Sequence, residues 1–220
     1  RKLKFSQPVA LLSAFALGLS DTFWSQAIVA EVYPLHIFIY SALFYCCLRV
    51  MDDPSRKNLL IFGGVYGLGL ANHWPLLGLG TPLFILFANK QLKTIIKESW
   101  IWIPFSCAVA AVFYLFMMWR SNTDVAISFL GPINDLQELA AYINRNYYRS
   151  IEAKWATDLD EKIMFLFDQI YAIFWREWLL YGGVMGVAGL YAARKRFDTL
   201  QLIGIAFVIL STPIVLPQML

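Results

Sequence analysis

The sequence predicts an all-α protein, a polytopic transmembrane helical bundle of about six to seven spans with one amphipathic helix on its outer face. Of its 220 residues, 59% are hydrophobic and only 15% are charged. Soluble domains hold about 45–50% apolar and about 25% charged residues. Apolar runs long enough to cross a hydrocarbon core of about 30 Å recur along the chain. None of these runs alternates with a period of two, which argues against an outer-membrane barrel.

The apolar runs define the candidate spans in chain order. They are 8–28, 33–50, 59–77, a short run at 79–88, 100–119, 170–192 and 199–219. After the short run, the segment NKQLKTIIKESW can extend the helix along the membrane interface. The chain therefore divides into three parts: transmembrane helices in 1–119, an extracytoplasmic loop in 120–162, and further transmembrane helices in 163–220.

When the connecting loops are assigned alternately to the two sides of the membrane, their charges differ between the sides. Four short connections on one side, RKLK, RVMDDPSRK, NKQLKTIIKE and ARKRFD, hold three basic residues each. The connections assigned to the other side hold eleven of the 15 acidic residues. Because Lys and Arg in short loops stay in the cytoplasm, the first set is predicted to be cytoplasmic. The net charge of +3 is scattered over short loops rather than gathered into a stripe, which excludes a nucleic-acid role.

Small residues and cysteines fall inside the apolar runs. GGVYGLGLA and GGVMGVAG place glycines four residues apart, a spacing that permits close approach of neighbouring helices. Cys46, Cys47 and Cys107 are interpreted as buried thiols, because no CxxC or Cys/His spacing indicates zinc.

The segment 120–162 is the one long hydrophilic stretch, and it predicts an amphipathic helix. Asn134 is the expected N-cap, with Gln137 three residues later. Arg145, Tyr147 and Arg149 cluster near the far end of that helix. Two interpretations stay open: an interfacial helix with basic residues near lipid headgroups, or arginines that bind the phosphate of a lipid-linked substrate.

Two acidic residues flank the outer turn between the first two spans, in the stretch SDTFWSQAIVAEVYPLH. Acidic side chains near membrane depth are costly, so they tend to face water-filled cavities or partners. Asp21 has a simpler explanation as a helix cap, whereas Glu31 has none. Both are therefore candidate catalytic residues, and a carboxylate there can accept a proton, hold a sugar hydroxyl or bind a metal.

A second polar group, Asn72 and His73 in LANHWPLL, lies at the outer end of the third span, just before a proline that ends or kinks the helix. Either residue is a candidate substrate ligand or a satisfied structural group. His36 lies about a turn past Glu31 and can be its hydrogen-bond partner. The sequence shows no HExxH, no phosphate-binding glycine loop and no catalytic triad order, so no cofactor is predicted and a metal requirement stays open.

Three stretches together resemble a known family. They are SDTFWSQAIVAEVYPLHIFIYSALFYCCLR, GLGLANHWPLLGLGTP and DLQELAAYINRNYY. Their order TFW…AEVY…NH is similar to that of bacterial membrane proteins related to a eukaryotic transmembrane protein O-mannosyltransferase. The likeness covers about residues 10–82 well and 130–150 loosely.

The resemblance implies a GT-C type glycosyltransferase. Such an enzyme is a helical bundle that transfers a sugar, possibly mannose, from a polyprenyl-phosphate-linked donor to a protein or envelope acceptor. It would lie in the bacterial inner membrane or the endoplasmic reticulum membrane, with its site facing the periplasm or the lumen. In that reading Trp24, Tyr33, Asn72 and His73 bind substrate.

The chain departs from the family pattern at its start. The first helix and the acidic first outer loop, which in such enzymes carries the general base, would lie upstream of Arg1. Glu31 then becomes a partner of the main base, and the chain alone is expected to be inactive. The alternative functions are a polytopic transporter or lipid flippase, and a scaffold without chemistry.

Overall fold

The computed structural model describes residues 7–19, 32–123, 131–144 and 197–205, together with the single positions 24, 27, 28, 146, 164, 167, 168, 171, 188, 189, 191 and 194. The described residues form helices joined by short connections and hold no strand, so the all-α prediction is confirmed. Three of the helices are long and apolar enough to cross a membrane.

The first helix, α1, spans Gln7–Gly18 and is shorter than the predicted span 8–28. A turn follows at Leu19, and the positions 20–23 lie outside the described residues. Its large apolar side chains are exposed, as expected of a helix that faces lipid or another helix.

Helix α2 spans Val32–Asp52, in agreement with the predicted span 33–50. Its 21 residues rise about 31 Å, enough to cross a hydrocarbon core. Pro34 is tolerated because the first-turn N–H groups have no partner inside a helix. One stripe of the helix is buried at three- and four-residue spacing, through Ile39, Leu43, Cys47 and Val50.

Helix α3 spans Arg56–Phe87, but it is a helical hairpin rather than one straight rod. In a straight helix, residues 15 apart would be separated by about 22 Å. The Tyr66 and Thr81 hydroxyls are instead 2.8 Å apart, and the Phe62 and Phe84 ring centroids are 5.8 Å apart. The chain therefore turns back on itself between two antiparallel arms, 56–72 and 74–87.

The reversal occurs at His73, whose backbone has φ −156° and ψ 82°. The predicted spans 59–77 and 79–88 are thus confirmed as separate arms, but their boundary lies five residues earlier than the predicted one. Pro75 explains the position. Proline cannot continue the hydrogen bonding of a preceding helix, whereas it fits the first turn of a new one.

The end of the bundle opposite His73 holds the short connections. A 3₁₀ turn at Asn89–Gln91 and helix α4, Leu92–Lys97, replace the predicted extension of the preceding helix. The Gln91 side chain donates to the Met51 carbonyl, and Arg56 forms an ion pair of 2.8 Å with Glu98. These contacts bring 51–56 and 89–98, two of the basic connections, to one end.

Helix α5 spans Ser99–Thr123 and runs beside the first arm of α3. A Cβ atom added at Gly63 would lie 2.8 Å from the Trp102 carbonyl oxygen, and one at Gly67 would lie 2.8 Å from Val109 Cβ. These two glycines, four residues apart, therefore permit the close helix approach that the sequence predicts. The outward face of α5 is apolar and exposed, through Trp100, Ile103, Val112, Phe113, Leu115, Phe116 and Trp119.

The core lies between α2 and the second arm of α3. It consists of Ile39, Leu43, Cys47, Leu77, Leu83, Phe84, Phe87 and Ala88. The cysteine prediction holds for Cys46 and Cys47 and is wrong for Cys107, which is exposed because it lies on the outward side of α5.

The segment 197–205 packs on the same core. Asp198 and Gln201 cap each other's backbone N–H groups, which begins a helix where the last span, 199–219, is predicted to start. The Phe197 and Phe87 rings are 5.6 Å apart. The predicted span 170–192 falls mostly outside the described residues.

Candidate active site

The candidate site lies at the hairpin tip, the end of the bundle that carries His73. His73 has left helical geometry, and its Nδ1 accepts a hydrogen bond of 3.4 Å from the Leu76 backbone N–H. The imidazole thus acts as an N-cap for the second arm, in the way that Ser, Asn or Asp usually does. Because Nδ1 is the acceptor, the neutral ring carries its hydrogen on Nε2.

The first turns of α2 bring two further side chains to this tip. The Tyr33 ring centroid lies 6.0 Å from that of His73, and the His36 centroid lies 6.0 Å from it in an edge-on arrangement. Tyr33 and His36 are three residues apart, so they lie on the same face of their helix. The beginning of α2 therefore faces the tip with one phenol and one imidazole.

His36 is the deepest polar group of this cluster. Its side chain is 7% exposed, and its Nδ1 has no hydrogen-bond partner among the described residues. The neighbouring Tyr40 ring lies 6.1 Å away, and its hydroxyl donates to the Gly80 carbonyl at 3.1 Å. Buried polar atoms without partners are uncommon in native proteins, and each calls for an explanation such as a water or a ligand.

The hairpin tip also holds the polar loop segment. The Trp74 indole N–H donates a 2.7 Å hydrogen bond to the Ile143 carbonyl, in the last turn of helix α6, Leu136–Ile143. Carbonyls in a last turn have no partner within their own helix. The bond therefore satisfies one such group and fixes the end of α6 beside His73.

The beginning of α6 corrects one prediction. Asp135, not Asn134, is the N-cap, and its carboxylate accepts from the Glu138 N–H at 2.8 Å. Glu138 in turn accepts from the Asn134 N–H at 2.7 Å. The capping pair is thus one residue later than predicted, because Asp135 is the residue with extended backbone. Leu139 is the buried side chain of the helix, whereas Leu136 is 67% exposed.

The loop before α6 is anchored to the end of α5. The Ile133 N–H donates to Ser121 Oγ at 3.0 Å, and Asn122 Nδ2 donates to the Ile133 carbonyl at 2.6 Å. Another bond joins α5 to the first arm of α3, from the Tyr114 hydroxyl to the Leu70 carbonyl at 2.7 Å. Segment 131–143 is therefore held at the tip from both sides.

The predicted site residues divide into three groups. Tyr33 and His73 lie together, and Asn72 adjoins His73 at the tip. Trp24 is 60% exposed and makes no ring contact with this cluster among the described residues. The remaining five lie outside the described residues: Asp21, Glu31, Arg145, Tyr147 and Arg149.

Sequence reasoning missed two members of the site. One is His36, which the sequence predicts only as a partner of Glu31, although its three-residue spacing from Tyr33 places both on one helix face. Trp74 is the other, and no sequence signal pairs it with Ile143. Among the described residues, no group of three His, Cys, Asp or Glu side chains is placed to hold a metal ion.

The arrangement is suited to binding a polar ligand with hydroxyl groups. Two imidazoles and two phenols stand at one end of an apolar bundle, where few convergent polar groups in aromatic surroundings are typical of ligand sites. Such groups donate and accept hydrogen bonds without carrying a full charge. The described part of the site therefore supplies recognition, whereas any carboxylate chemistry would come from the acidic residues next to it in the chain.

Comparison with known proteins finds a match to one family model. The family model described as "Protein O-mannosyl-transferase TMEM260 N-terminal domain" matches residues 2–96. Residues 2–96 are similar to that domain. The match supports a mannosyltransferase-like family and includes α2, both arms of α3 and the whole Tyr33–His36–His73 cluster. No curated protein matches the chain, and no solved structure matches it either.

Proposed function

We propose that this chain carries the donor-binding part of a GT-C type membrane glycosyltransferase. The enzyme transfers a sugar, for which we propose mannose, from a polyprenyl-phosphate-linked donor to a hydroxyl of a protein or envelope acceptor. The observation that carries the proposal is the match of residues 2–96 to the N-terminal domain of a protein O-mannosyl-transferase. The polar cluster at the hairpin tip lies within those residues.

The shape of the bundle suits a substrate with a lipid tail and a polar head. The outward face of α5 is apolar along its length, so a polyprenyl chain can remain in the bilayer. The sugar phosphate would lie at the tip, where Tyr33, His36 and His73 converge and α6 is held by Trp74. The lipid tail and the polar head of the donor would thus contact two different surfaces of the protein, the apolar face of α5 and the polar tip.

The reaction assigns roles to the acidic and basic residues predicted from the sequence. The acceptor hydroxyl oxygen attacks the anomeric carbon, the bond from that carbon to the phosphate oxygen breaks, and polyprenyl phosphate leaves. A carboxylate takes the hydroxyl proton, a role that we propose for an acid of the outer loops assisted by Glu31 and Asp21. Arg145 and Arg149, with Tyr147, are proposed to bind the leaving phosphate.

The proposal places the tip on the periplasmic or lumenal side. The connections at the opposite end contain Arg56, Lys90, Lys93 and Lys97, and basic residues in short loops are typical of the cytoplasmic side. A tip outside the cytoplasm gives a secreted or envelope acceptor direct access to the site.

The test uses the full-length protein that contains this sequence, reconstituted in liposomes with radiolabelled polyprenyl phosphomannose and an acceptor peptide or envelope extract. We expect label to pass to the acceptor, and we expect Glu31→Gln to abolish transfer without changing the amount of inserted protein. Glu98→Gln at the opposite end is the matched control, because it makes the same chemical change 2.8 Å from Arg56 and should retain full activity.

The same liposomes test the alternative of a flippase. A flippase moves the labelled lipid to the opposite leaflet and leaves the label on the lipid. Transbilayer movement of the donor without any sugar transfer would therefore overturn the glycosyltransferase proposal.

A further inference from the structure

We propose that His36 is a substrate-binding residue, and that its Nδ1 hydrogen-bonds a hydroxyl of the donor sugar. This inference rests on the proposed function and adds to it a residue that recognises the sugar. Its basis is one buried imidazole nitrogen that no described protein group satisfies.

Two polar atoms beside His36 are already engaged within the protein. The Tyr40 hydroxyl donates to the Gly80 carbonyl, and His73 Nδ1 accepts from the Leu76 N–H. His36 lies between these two rings, with centroids at 6.1 Å and 6.0 Å. These two atoms do not serve His36, and its Nδ1 has no hydrogen-bond partner among the described residues.

The position of His36 favours a ligand over simple core filling. The residue is more than nine-tenths buried, yet its ring lies beside that of His73 at the hairpin tip, to which Trp74 attaches α6. A residue that only fills space at this depth can be apolar, as Ile39 and Leu43 are in the following turns. A buried polar atom without a partner calls for an explanation, and a ligand bound in the working state supplies one.

The chemistry of the nitrogen fits a hydroxyl group. A neutral imidazole has one nitrogen that donates and one that accepts, and a hydroxyl can serve either of them. A phosphate oxygen or a carboxylate would accept only, and would favour an arginine or lysine in this place. Sugars present several hydroxyls of fixed orientation, so one buried imidazole can discriminate between epimers by leaving its nitrogen unsatisfied with the wrong sugar.

The experiment compares three variants of the full-length protein. His36→Phe keeps a ring and removes both nitrogens. His36→Asn keeps an amide near the position of Nδ1, and His36→Gln keeps one near that of Nε2. The measurements are the melting temperature without ligand, its increase on addition of a short-chain polyprenyl phosphomannose, and the KM and kcat of transfer.

We expect His36→Phe to fold with an unchanged or higher melting temperature, because it removes an unsatisfied buried polar group. The donor-induced increase in melting temperature should become smaller. The KM for the donor should rise about three- to tenfold, which corresponds to the loss of one hydrogen bond. His36→Asn should restore more of the affinity than His36→Gln. Tyr66→Phe is the control: it loses a hydrogen bond in the middle of the hairpin and should lower stability without changing the KM.

Each other result decides against the inference. If His36→Phe shows the same donor-induced increase in melting temperature and the same KM as the wild type, His36 is a packing or water-bound residue. If His36→Phe destabilises the ligand-free protein, the nitrogen has a structural partner. If His36→Gln restores affinity and His36→Asn does not, Nδ1 is not the binding atom. If the donor does not stabilise even the wild-type protein, the proposed function fails together with the inference about His36. The first three results, in contrast, contradict only the role of His36 and leave the proposed function standing.

Discussion

The Tyr66 and Thr81 hydroxyls lie 2.8 Å apart although 15 residues separate them in one nominally continuous helix. The same Thr81 hydroxyl lies 2.8 Å from the Leu77 carbonyl, so the contact between the arms is part of a small network. This pair shows that Arg56–Phe87 is a hairpin. The chain reversal is what places His73 and Trp74 at a tip rather than in the middle of a rod.

Close approach of α3 and α5 depends on Gly67. A methyl group there would lie 2.8 Å from Val109 Cβ and would also meet the Ser106 carbonyl. We expect Gly67→Ala to destabilise the protein by about 1–3 kcal/mol, the usual cost of overpacking. Thermal unfolding in detergent measures the change.

Gly78→Ala is the matched control for this prediction. It makes the same substitution in the same hairpin, but nothing lies within 4 Å of the added methyl group. Because alanine is the better helix former, the protein should be unchanged or stabilised by up to about 1 kcal/mol. Equal destabilisation by the two variants would contradict the packing account of Gly67.

Helix α6 is held at the tip by the indole of Trp74. Trp74→Phe keeps an aromatic ring and removes the N–H that donates to the Ile143 carbonyl. We expect a loss of about 0.5–1.5 kcal/mol in local stability, seen as faster hydrogen exchange of 136–143 with the rest of the bundle unaffected.

Trp119→Phe serves as the comparison for Trp74. Trp119 is exposed on α5 and stacks on Phe116 at 5.6 Å. Its substitution should leave exchange in α6 at the wild-type rate. Faster exchange of α6 in both variants would mean that loss of a tryptophan, and not loss of the hydrogen bond, loosens the loop.

The other end of the loop is anchored by Ser121 and Asn122. Asn122→Ala removes the 2.6 Å bond to the Ile133 carbonyl and leaves that buried residue's backbone less satisfied. Limited proteolysis between α5 and α6 should become several-fold faster, since cleavage follows local opening. Thr123→Ala removes a hydroxyl whose hydrogen bond within the described part of the chain is local, to the Arg120 carbonyl, and the variant should be cleaved at the wild-type rate.

The orientation of the bundle in the membrane can be measured by labelling single introduced cysteines. With Cys107 replaced by Ala, cysteines introduced at Lys93 and at Asn134 mark the two ends. Because the basic connections are expected in the cytoplasm, an impermeant thiol reagent applied to intact cells should label position 134 and not position 93. Labelling of position 93 alone would place the tip on the cytoplasmic side and contradict the proposed acceptor access.

Much of the fold follows from local rules that a sequence expresses directly. Hydropathy and length indicate α2 and α5, because a helix in lipid must be apolar over about 20 residues. Asn72, His73 and Pro75 mark the tip, because proline stops a helix wherever the chain goes next. The glycines of the first arm predict that another helix packs closely against it, but their spacing does not identify that helix.

The errors have a common origin in competition between nearly equivalent local choices. Asn134 and Asp135 can both cap a helix, and backbone geometry selected the second. Cys107 lies in an apolar run, and the rotation of α5 about its axis turned it outward. Neither choice is visible in composition or spacing.

By itself, the sequence determined the helical class, the places where the chain turns, and the polar residues available near one end. Each depends on a residue and its immediate neighbours. Only the tertiary structure decided that Tyr33, His36 and His73 meet, that His36 keeps an unsatisfied nitrogen, and that Trp74 holds the end of α6. These relationships depend on how each helix is rotated about its axis when it packs, and that rotation is a property of the whole bundle.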